Sequence, residues 1–371
     1  MNTKVLQKNI PKGWQIKQFE DCVILPAKLK GLKSSEYKPF GKYPIFDQAK
    51  EYISGYTNEE SILNTNYPAI LFGDHTRVLK YIESPFILGA DGTKVFWSKE
   101  DIDSSFLYYS LLNLNVPNTG YNRHFKFLKD SEILLPEKTE QKKIAEILWS
   151  VDEEIQKVEE IISATEKLKQ GLMKRLFTKG REFKLNDLCV KIIGGGTPAR
   201  NIEEYWNGDI PWVTVKDLTN KKFISDAQEK ITRTGLENSA SNIIPKGNII
   251  TSTRMGIGRF YINDMDVAIN QDLKGLILKD NVIVDFLYYF LLSRASILET
   301  KGVGSTVKGI KVEELKNLPV LIPNVEEQKR ISATFSLVDE KNSINKKVKE
   351  SLILLKKGLM NDLLTGKVRT I

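Results

Sequence analysis

Residues Leu134–Thr178 read LLPEKTEQKKIAEILWSVDEEIQKVEEIISATEKLKQGLMKRLFT, and residues Leu321–Thr365 read LIPNVEEQKRISATFSLVDEKNSINKKVKESLILLKKGLMNDLLT. The two stretches align without a gap, so that Gln141 falls opposite Gln328 and Thr178 falls opposite Thr365. A match of this length indicates an internal duplication, and such a chain has to be interpreted one copy at a time.

Both copies carry the apolar period of a long helix, with apolar residues at steps of three and four and charges on the other faces. Pro136 and Pro323 lie just before the two starts, where proline is tolerated. A helix of about forty residues is roughly 60 Å long, and an apolar stripe of that length needs a partner in water. We therefore predict that the two helices pack on each other. The stripe comprises Ile144, Ile147, Leu148, Val151, Ile155, Val158, Ile162, Thr165, Leu168, Leu172 and Leu176 in the first copy and Ile331, Phe335, Val338, Val348, Leu352, Leu355, Leu359 and Leu363 in the second.

The segments that precede the two helices are related more weakly. Phe106-Leu107-Tyr108-Tyr109 in the first segment recurs as Phe286-Leu287-Tyr288-Tyr289 in the second. Short apolar runs such as Ala69-Ile70-Leu71-Phe72 and Asn248-Ile249-Ile250-Thr251, bounded by Gly, Pro, Asn and Asp, indicate strands. We predict strand-rich α+β globules over residues 1–134 and 181–320, with the long helices over 135–180 and 321–371. In the second helix, Asn342 and Asn345 either fix the register of the helix pair or face outward.

Composition limits the class of protein. The chain has 371 residues, of which 41% are hydrophobic and 27% are charged, and 55 Lys and Arg against 47 Asp and Glu give a net charge of +8. This surplus fits either a polyanionic partner or an ordinary basic surface. Two distant cysteines, Cys22 and Cys189, favour buried thiols over a disulfide or zinc site. The opening MNTKVLQKNIPKGW lacks the apolar core of a signal peptide, so we expect a cytoplasmic protein without membrane spans.

The motifs of catalysis are missing from the sequence. No N/D-P-P-Y/F motif of an amino-methyltransferase and no phosphate-binding G-x-x-x-x-G-K-S/T occur. Gly194-Gly195-Gly196 lacks the lysine of a phosphate loop and is typical of a tight turn that presents Thr197 and Arg200. Gly256-Ile257-Gly258 lacks the third glycine of a dinucleotide fingerprint and indicates a close backbone approach or a bulge. A non-catalytic protein is predicted, with a self-contained methyltransferase or nuclease and a coiled-coil adaptor that binds no DNA as the alternatives.

The doubled E-Q-K-K/R-I helix that ends in L-K-x-G-L-M resembles the conserved regions of specificity subunits from type I restriction-modification systems. Further stretches of the chain also resemble this family, and they occur in both globules. In the second globule these are 195–198, 210–213, 216–218, 244–247, 252–254, 268–271 and 304–306, and in the first they are 43–47, 53–57, 73–77 and 89–92.

The resemblance implies two target-recognition domains separated by two long helices that pack as an antiparallel coiled coil, with an internal pseudo-twofold repeat. Each domain is then expected to read one half of a bipartite, asymmetric DNA site, with the helices setting the spacer. The implied partners are double-stranded DNA, two methyltransferase (modification) subunits and, in some systems, restriction subunits. The resemblance implies no cofactor bound by this chain, because S-adenosylmethionine, and ATP with Mg²⁺ where restriction subunits join, are used by the partner subunits.

Candidate DNA-binding residues lie in polar loops beside apolar strands, where contact residues are common. Arg77 and Arg254 follow matched strands, and arginine binds guanine and phosphate in a bidentate manner. The structural alternative is that Asp74 caps its turn and Arg77 is merely exposed. Lys28, Lys30 and Lys33 are most simply explained as a solvated charge run, with contacts that position a phosphate as the alternative. The predicted DNA contacts are Lys30, Lys33, Gln48, Tyr56, His75, Arg77, Tyr121, Arg123 and His124 in the first globule and Thr197, Arg200, Lys216, Arg254, Arg259, Gln271, Ser305, Thr306 and Lys308 in the second.

Overall fold

A computed structural model of the chain describes residues 10–26, 29–89, 92–219, 221–302 and 309–370. The chain divides into two compact units. Unit 1 comprises Met1–Glu159 and Lys347–Ile371, and unit 2 comprises Glu160–Lys346. Each unit therefore joins one globule to parts of both long helices, and the predicted α+β class is confirmed by the mixture of helices and sheets in both.

Unit 1 contains two four-stranded sheets and a separate strand pair. One sheet has the order β2-β9-β6-β7, and the other has the order β3-β8-β4-β5 with β4 parallel to β8. Strand β1 pairs antiparallel with β10, which leads directly into the first long helix. The strands are β1 (Gln15–Gln18), β2 (Val23–Ile24), β3 (Gly31–Leu32), β4 (Tyr43–Phe46), β5 (Gly55–Thr57), β6 (Ala69–Gly73), β7 (Leu79–Ile82), β8 (Ile87–Gly89), β9 (Thr93–Ser98) and β10 (Glu132–Leu135).

Unit 2 follows the same plan with longer strands. Its sheets have the orders β12-β20-β17-β18-β14 and β15-β13-β19-β16, and β13 is parallel to β19 as β4 is to β8. Strand β11 pairs with β21 ahead of the second long helix. The strands are β11 (Arg181–Lys184), β12 (Cys189–Gly194), β13 (Trp206–Val213), β14 (Phe223–Ile224), β15 (Glu229–Ile231), β16 (Asn242–Ile244), β17 (Ile249–Ser252), β18 (Phe260–Asn263), β19 (Val267–Ile269), β20 (Leu273–Leu278) and β21 (Pro319–Ile322).

The long helices are α4 (Lys138–Leu176) and α9 (Val325–Leu363), so both predicted helices are confirmed. The shorter helices are α1 (Phe19–Cys22), α2 (Ser104–Leu112), α3 (Phe125–Lys129), α5 (Arg233–Glu237), α6 (Val284–Ser293), α7 (Ala295–Thr300) and α8 (Val312–Lys316). The repeated Phe-Leu-Tyr-Tyr motif lies in α2 and in α6, and Asp103 caps the start of α2 by accepting a hydrogen bond from the Phe106 backbone nitrogen.

Within each unit the two long helices run antiparallel. In unit 1, Asp152 pairs with Lys356 and Glu159 pairs with Lys349, with 2.7 Å between the charged atoms in both pairs. In unit 2, the ion pairs between the helices are Glu166–Lys346 and Lys169–Asp339. As the residue number rises on one helix it falls on the other, which confirms the predicted antiparallel arrangement inside each unit.

The two helices pack on each other as predicted, but they cover the helix stripe only in part. Ile144, Leu148 and Phe335 are fully buried. In contrast, Leu168 is 54% exposed in unit 2 and Leu355 is 51% exposed in unit 1. The stripe is thus wider than the contact that two helices make.

Asn342 contacts the partner helix of unit 2, because its amide nitrogen donates to Glu166 at 3.3 Å. It therefore lies at the helix pair rather than facing outward. Neither the Asn342 Oδ1 nor the Asn345 Nδ2 has a hydrogen-bond partner, and both atoms are buried. Of the two alternatives, this geometry favours a position in the seam, where a buried asparagine can fix the register, over one that faces outward.

The core of each unit lies where the sheets meet the Phe-Leu-Tyr-Tyr helix and the ends of the long helices. In unit 1, Phe19, Phe96 and Phe106 are fully buried there, and in unit 2, Phe286 and Phe290 occupy the corresponding core. Cys22 and Cys189 are buried free thiols, as predicted, and burial raises the pKa of each to about 11. None of the helices in the described ranges combines the length and apolar character that a membrane span requires.

Candidate nucleic-acid interface

Two matched hairpins carry the candidate arginines. The β6–β7 turn of unit 1 holds Arg77, and the β17–β18 turn of unit 2 holds Arg254. Both turns contain a residue other than glycine in the left-handed region, Arg77 at φ 62° and Met255 at φ 50°. Such backbone is costly for residues with a Cβ and is concentrated at binding sites. The two hairpins thus present equivalent loops with an unusual backbone conformation.

In unit 1 four predicted residues lie close together. The His75 backbone nitrogen donates to the Gln48 side chain at 3.1 Å, and the His75 ring stacks on Tyr121 with 4.7 Å between ring centroids. Tyr121 is 87% exposed, which leaves the outer face of its ring open to a base or sugar. Arg77 reaches the same loop, since its guanidinium donates to the Val116 backbone oxygen at 3.1 Å.

The buried position of His124 does not support the predicted DNA contact. Its side chain is fully buried, its Nδ1 lies 2.9 Å from the Asp74 backbone oxygen, and its Nε2 accepts a hydrogen bond from the Thr119 backbone nitrogen. Asp74 in turn accepts a hydrogen bond from the Phe125 backbone nitrogen at 2.8 Å. His124 therefore holds the 118–124 loop in shape, while Arg123 beside it is exposed.

In unit 2 a second polar group forms around strand β20. The Thr197 hydroxyl donates to the Gln271 side chain at 2.6 Å, and Arg254 lies 3.9 Å from Asp272 with two thirds of its side chain exposed. Arg259 is exposed at the far end of the same hairpin turn. Thr197, Gln271 and Arg254 are thus brought to one place although they are far apart in the sequence.

Arg200 does not present a free cation. Its guanidinium pairs with both oxygens of Glu229 and lies 3.8 Å from the Trp206 ring centroid. The hydrogen bond from Arg200 holds the pKa of Glu229 below its ordinary value. Because the guanidinium is already paired and stacked, the geometry gives Arg200 a role in fixing its loop and does not support the predicted DNA contact.

The remaining predicted residues are dispersed. Tyr56 lies on β5, Lys30 and Lys33 are exposed at the two ends of β3, and Lys216 is exposed in a short turn before β14. Ser305, Thr306 and Lys308 lie outside the described residues. The structure therefore groups some of the predicted residues in each unit and leaves these others apart.

The glycine triplet has a different role from the predicted tight turn. None of Gly194, Gly195 and Gly196 has a left-handed backbone. Instead, a Cβ on Gly195 would lie 1.9 Å from the Ile269 backbone oxygen. The triplet lets the chain pass against β19 and so carries Thr197 to Gln271. The expected close approach at Gly258 is confirmed, since a Cβ there would lie 2.8 Å from the Ala295 backbone oxygen.

A group of one tyrosine, one aspartate and one lysine occurs in both units, and sequence reasoning did not identify it. In unit 1, the Tyr109 hydroxyl and the Lys356 ammonium both donate to Asp152, at 2.8 and 2.7 Å. In unit 2, Tyr289 donates to Asp339 at 2.8 Å, and Lys169 binds the same carboxylate. Burial and then the bond to Asp152 raise the pKa of Tyr109 well above its ordinary value, so its hydroxyl remains a donor. Each group joins a globule to both long helices.

A buried carboxylate in unit 1 was also missed. Glu140 is fully buried and accepts hydrogen bonds from Trp14 at 3.1 Å and from Arg369 at 2.8 Å. Burial opposes ionisation, but the bonds from Arg369, Thr370 and Trp14 outweigh it and lower the pKa of Glu140. The position of Glu140 next to the repeated Gln141 could have marked it as a structural residue. Its partner Arg369 lies far along the chain and could not be inferred from spacing. No cluster of metal-ligating side chains occurs in the described part of the chain.

These features define a protein of two binding modules, each built on the same pair of long helices. The family model for the type I restriction modification DNA specificity domain matches residues 11–166 and 179–353, one match for each repeat, and the chain belongs to this family. Membership gives the chain the role of a specificity subunit rather than that of a catalytic subunit.

Individual relatives agree with this assignment. The chain is 25% identical to the EcoR124I/EcoR124II specificity subunit of Escherichia coli over 345 residues, which cover 86% of this chain and 84% of that protein. It is 35% identical over 173 residues to the MjaIX specificity subunit of Methanocaldococcus jannaschii, a match that spans 46% of this chain and 40% of that protein. The crystal structure of a type I restriction-modification S subunit from M. genitalium shares the fold, with a TM-score of 0.64, 19% identity and coverage of 96% and 97% of the two chains.

Proposed function

We propose that this chain is the DNA-reading subunit of a type I restriction-modification complex, in which each globule reads one half of a bipartite, asymmetric site. The observation that carries the proposal is the pair of matched hairpins. The two units share the same plan of strands, but their turns carry different side chains. The turn of unit 1 has Thr76 and Arg77, whereas the turn of unit 2 has Arg254 and Met255. Different side chains on equivalent loops fit two half-sites of different sequence.

The long helices supply the second part of the proposal, which is to set the unread spacer and to bind two methyltransferase subunits. Apolar side chains remain exposed on both helices, and contiguous exposed apolar surface marks protein interfaces. The exposed residues are Ile147, Val348, Ile353, Leu354 and Leu355 in unit 1 and Ile161, Leu168, Leu337 and Ile344 in unit 2. Because the helix sequence is duplicated, two copies of one partner fit this surface better than one.

The chemistry then belongs to the partner subunits in the cytoplasm. We propose that the methyltransferase subunits bind S-adenosylmethionine and methylate adenine, and that restriction subunits, where they join, use ATP and Mg²⁺ to cleave DNA. A titration of the assembled complex against salt tests the DNA-binding part, because phosphate contacts give a steep dependence of affinity on salt concentration. A salt-independent or absent interaction would favour the adaptor alternative.

The purified chain alone should neither methylate nor cleave DNA. Addition of its methyltransferase subunit should restore methylation of one bipartite sequence, because the catalytic motifs are missing from this chain. The measurement is transfer of labelled methyl groups from S-adenosylmethionine to plasmid DNA, with the methyltransferase subunit alone as the control. Methyl transfer by this chain alone would falsify the assignment.

Arg77→Ala and Arg254→Ala should each weaken specific DNA binding by about 1–3 kcal/mol, the increment of a base contact. Each change should relax the sequence requirement in its own half-site and leave the other half-site unchanged. Methylome sequencing of cells that carry the variant with its methyltransferase subunit reports both half-sites at once.

Arg233→Ala is the matched control for the two arginine changes. Arg233 is exposed on α5 and pairs with Glu237 one turn along the same helix. The Arg233→Ala change removes one positive charge, as the other two changes do, but it lies outside both hairpins. The methylated sequence should therefore not change. If Arg77→Ala or Arg254→Ala left affinity and sequence as they were, that residue would be excluded from the interface.

A further inference from the structure

Unit 1 contains a cavity of about 240 Å³ beneath the 113–117 segment. Its walls come from the end of α2, from α3, from β10 and from the residues that follow α9. Two polar atoms in these walls are buried without a hydrogen-bond partner, the Ser110 hydroxyl and the Glu132 Oε2. The other oxygen of Glu132 accepts a hydrogen bond from Gln18 at 3.2 Å. Unpaired buried groups are rare, because each costs free energy unless something binds it.

The duplication shows how the residues around this cavity differ between the two units. Ser110 aligns with Phe290 through the Phe-Leu-Tyr-Tyr motif, and Leu364 aligns with Phe177 through the helix repeat. In unit 2 the rings of Phe177 and Phe290 are buried with 5.4 Å between their centroids, so that aromatic rings fill the space. The positions that differ most in size or polarity have Ser110 where unit 2 has Phe290, Ser131 where it has Leu318, Glu132 where it has Pro319 and Leu364 where it has Phe177.

These substitutions remove two phenyl rings and introduce polar groups at the edge of the vacated space. A cavity of roughly 150 Å³ is enough to hold benzene, so this one accommodates an aromatic ring with a substituent. The Glu132 carboxylate is an acceptor, and bonds between a carboxylate and a cationic donor are the stronger kind. We propose that the cavity is a binding site for a small aromatic ligand that carries a positively charged N–H donor, such as an arylamidine.

The proposal is independent of DNA reading, and direct titration tests it. The full-length chain is titrated with benzamidine, and with toluene as the uncharged ring, by ligand-observed NMR. We expect saturable benzamidine binding with a dissociation constant of about 1 mM or below and weaker binding of toluene. If neither probe binds, the cavity holds water only and the proposal is wrong.

Two kinds of variant locate the binding. Ser110→Phe copies the residue of unit 2 into the space and should abolish binding of both probes without lowering the melting temperature. Glu132→Gln keeps the volume and should weaken benzamidine binding by roughly tenfold while leaving toluene unchanged. If Ser110→Phe fails to fold, Leu364→Phe fills the same space from the opposite wall. Unchanged benzamidine binding in the filled variants would place the ligand elsewhere and overturn the proposal.

Discussion

Replacing Phe290 with alanine should lower the free energy of unfolding of unit 2 by about 3–5 kcal/mol, the range for truncation of a buried phenylalanine. Phe290 is fully buried, and its ring packs against Phe177 at 5.4 Å and Phe286 at 6.4 Å between centroids. Alanine would leave a ring-sized void that these rigid neighbours cannot fill. Hydrogen exchange resolved by mass spectrometry measures the loss separately in each unit.

The matched change in unit 1, Ser110→Ala, should leave the free energy of unfolding almost unchanged. Ser110→Ala removes a buried hydroxyl that has no hydrogen-bond partner. Removing an unsatisfied group is close to neutral or slightly stabilising. A change to alanine at this alignment position is therefore expected to destabilise unit 2 strongly and unit 1 hardly at all. Equal losses in the two variants would contradict the view that aromatic rings fill this part of the core in unit 2 and leave it open in unit 1.

The helices were predictable because their signal is long and periodic. Forty residues of apolar spacing, repeated without a gap, leave little choice of secondary structure. The spacing of apolar residues could not show how much of the stripe the partner helix covers. Leu168 and Leu355 belong to the stripe but remain exposed, because two helices cover a narrower face than the stripe offers. A stripe in the sequence indicates which face is buried, and does not distinguish a partner helix from a partner subunit.

The predicted contact residues differ in how well the structure supports them, and the differences have one physical cause. Arg77 and Arg254 could be proposed from the sequence because each follows an apolar strand, and both lie in hairpin turns. The buried position of His124 could not be inferred from spacing, since the fold brings Asp74 and Thr119 to it. The ion pair of Arg200 could not be inferred either, because Glu229 lies on β15, far along the chain. Polar residues in loops look alike in a sequence until their partners are known.

The glutamine of the E-Q-K motif, which is Gln141 in the first repeat and Gln328 in the second, makes the same hydrogen bonds in both units. In unit 1, the Gln141 carbonyl oxygen accepts a hydrogen bond from the Asp103 backbone nitrogen at 2.9 Å, and its amide nitrogen donates to the Pro136 backbone oxygen at 2.9 Å. In unit 2, Gln328 bonds to the Ile283 nitrogen and the Pro323 oxygen at 3.0 and 3.1 Å. Each glutamine therefore ties its long helix to the start of the Phe-Leu-Tyr-Tyr helix and to the end of the preceding strand.

Gln141→Ala should destabilise unit 1 by about 2–6 kcal/mol, because it leaves two backbone groups unpaired and each costs about 1–3 kcal/mol when buried. Gln328→Ala should do the same in unit 2, and hydrogen exchange should show faster exchange only in the unit that carries the change. The control is Lys142→Ala, since Lys142 is the exposed neighbour on the same helical turn and should cost little. Both glutamine variants should keep the methylated sequence wherever the complex still assembles, since neither residue lies at a hairpin. A changed half-site in a stable variant would show that this residue takes part in reading DNA, and the motif would then be more than a structural tie.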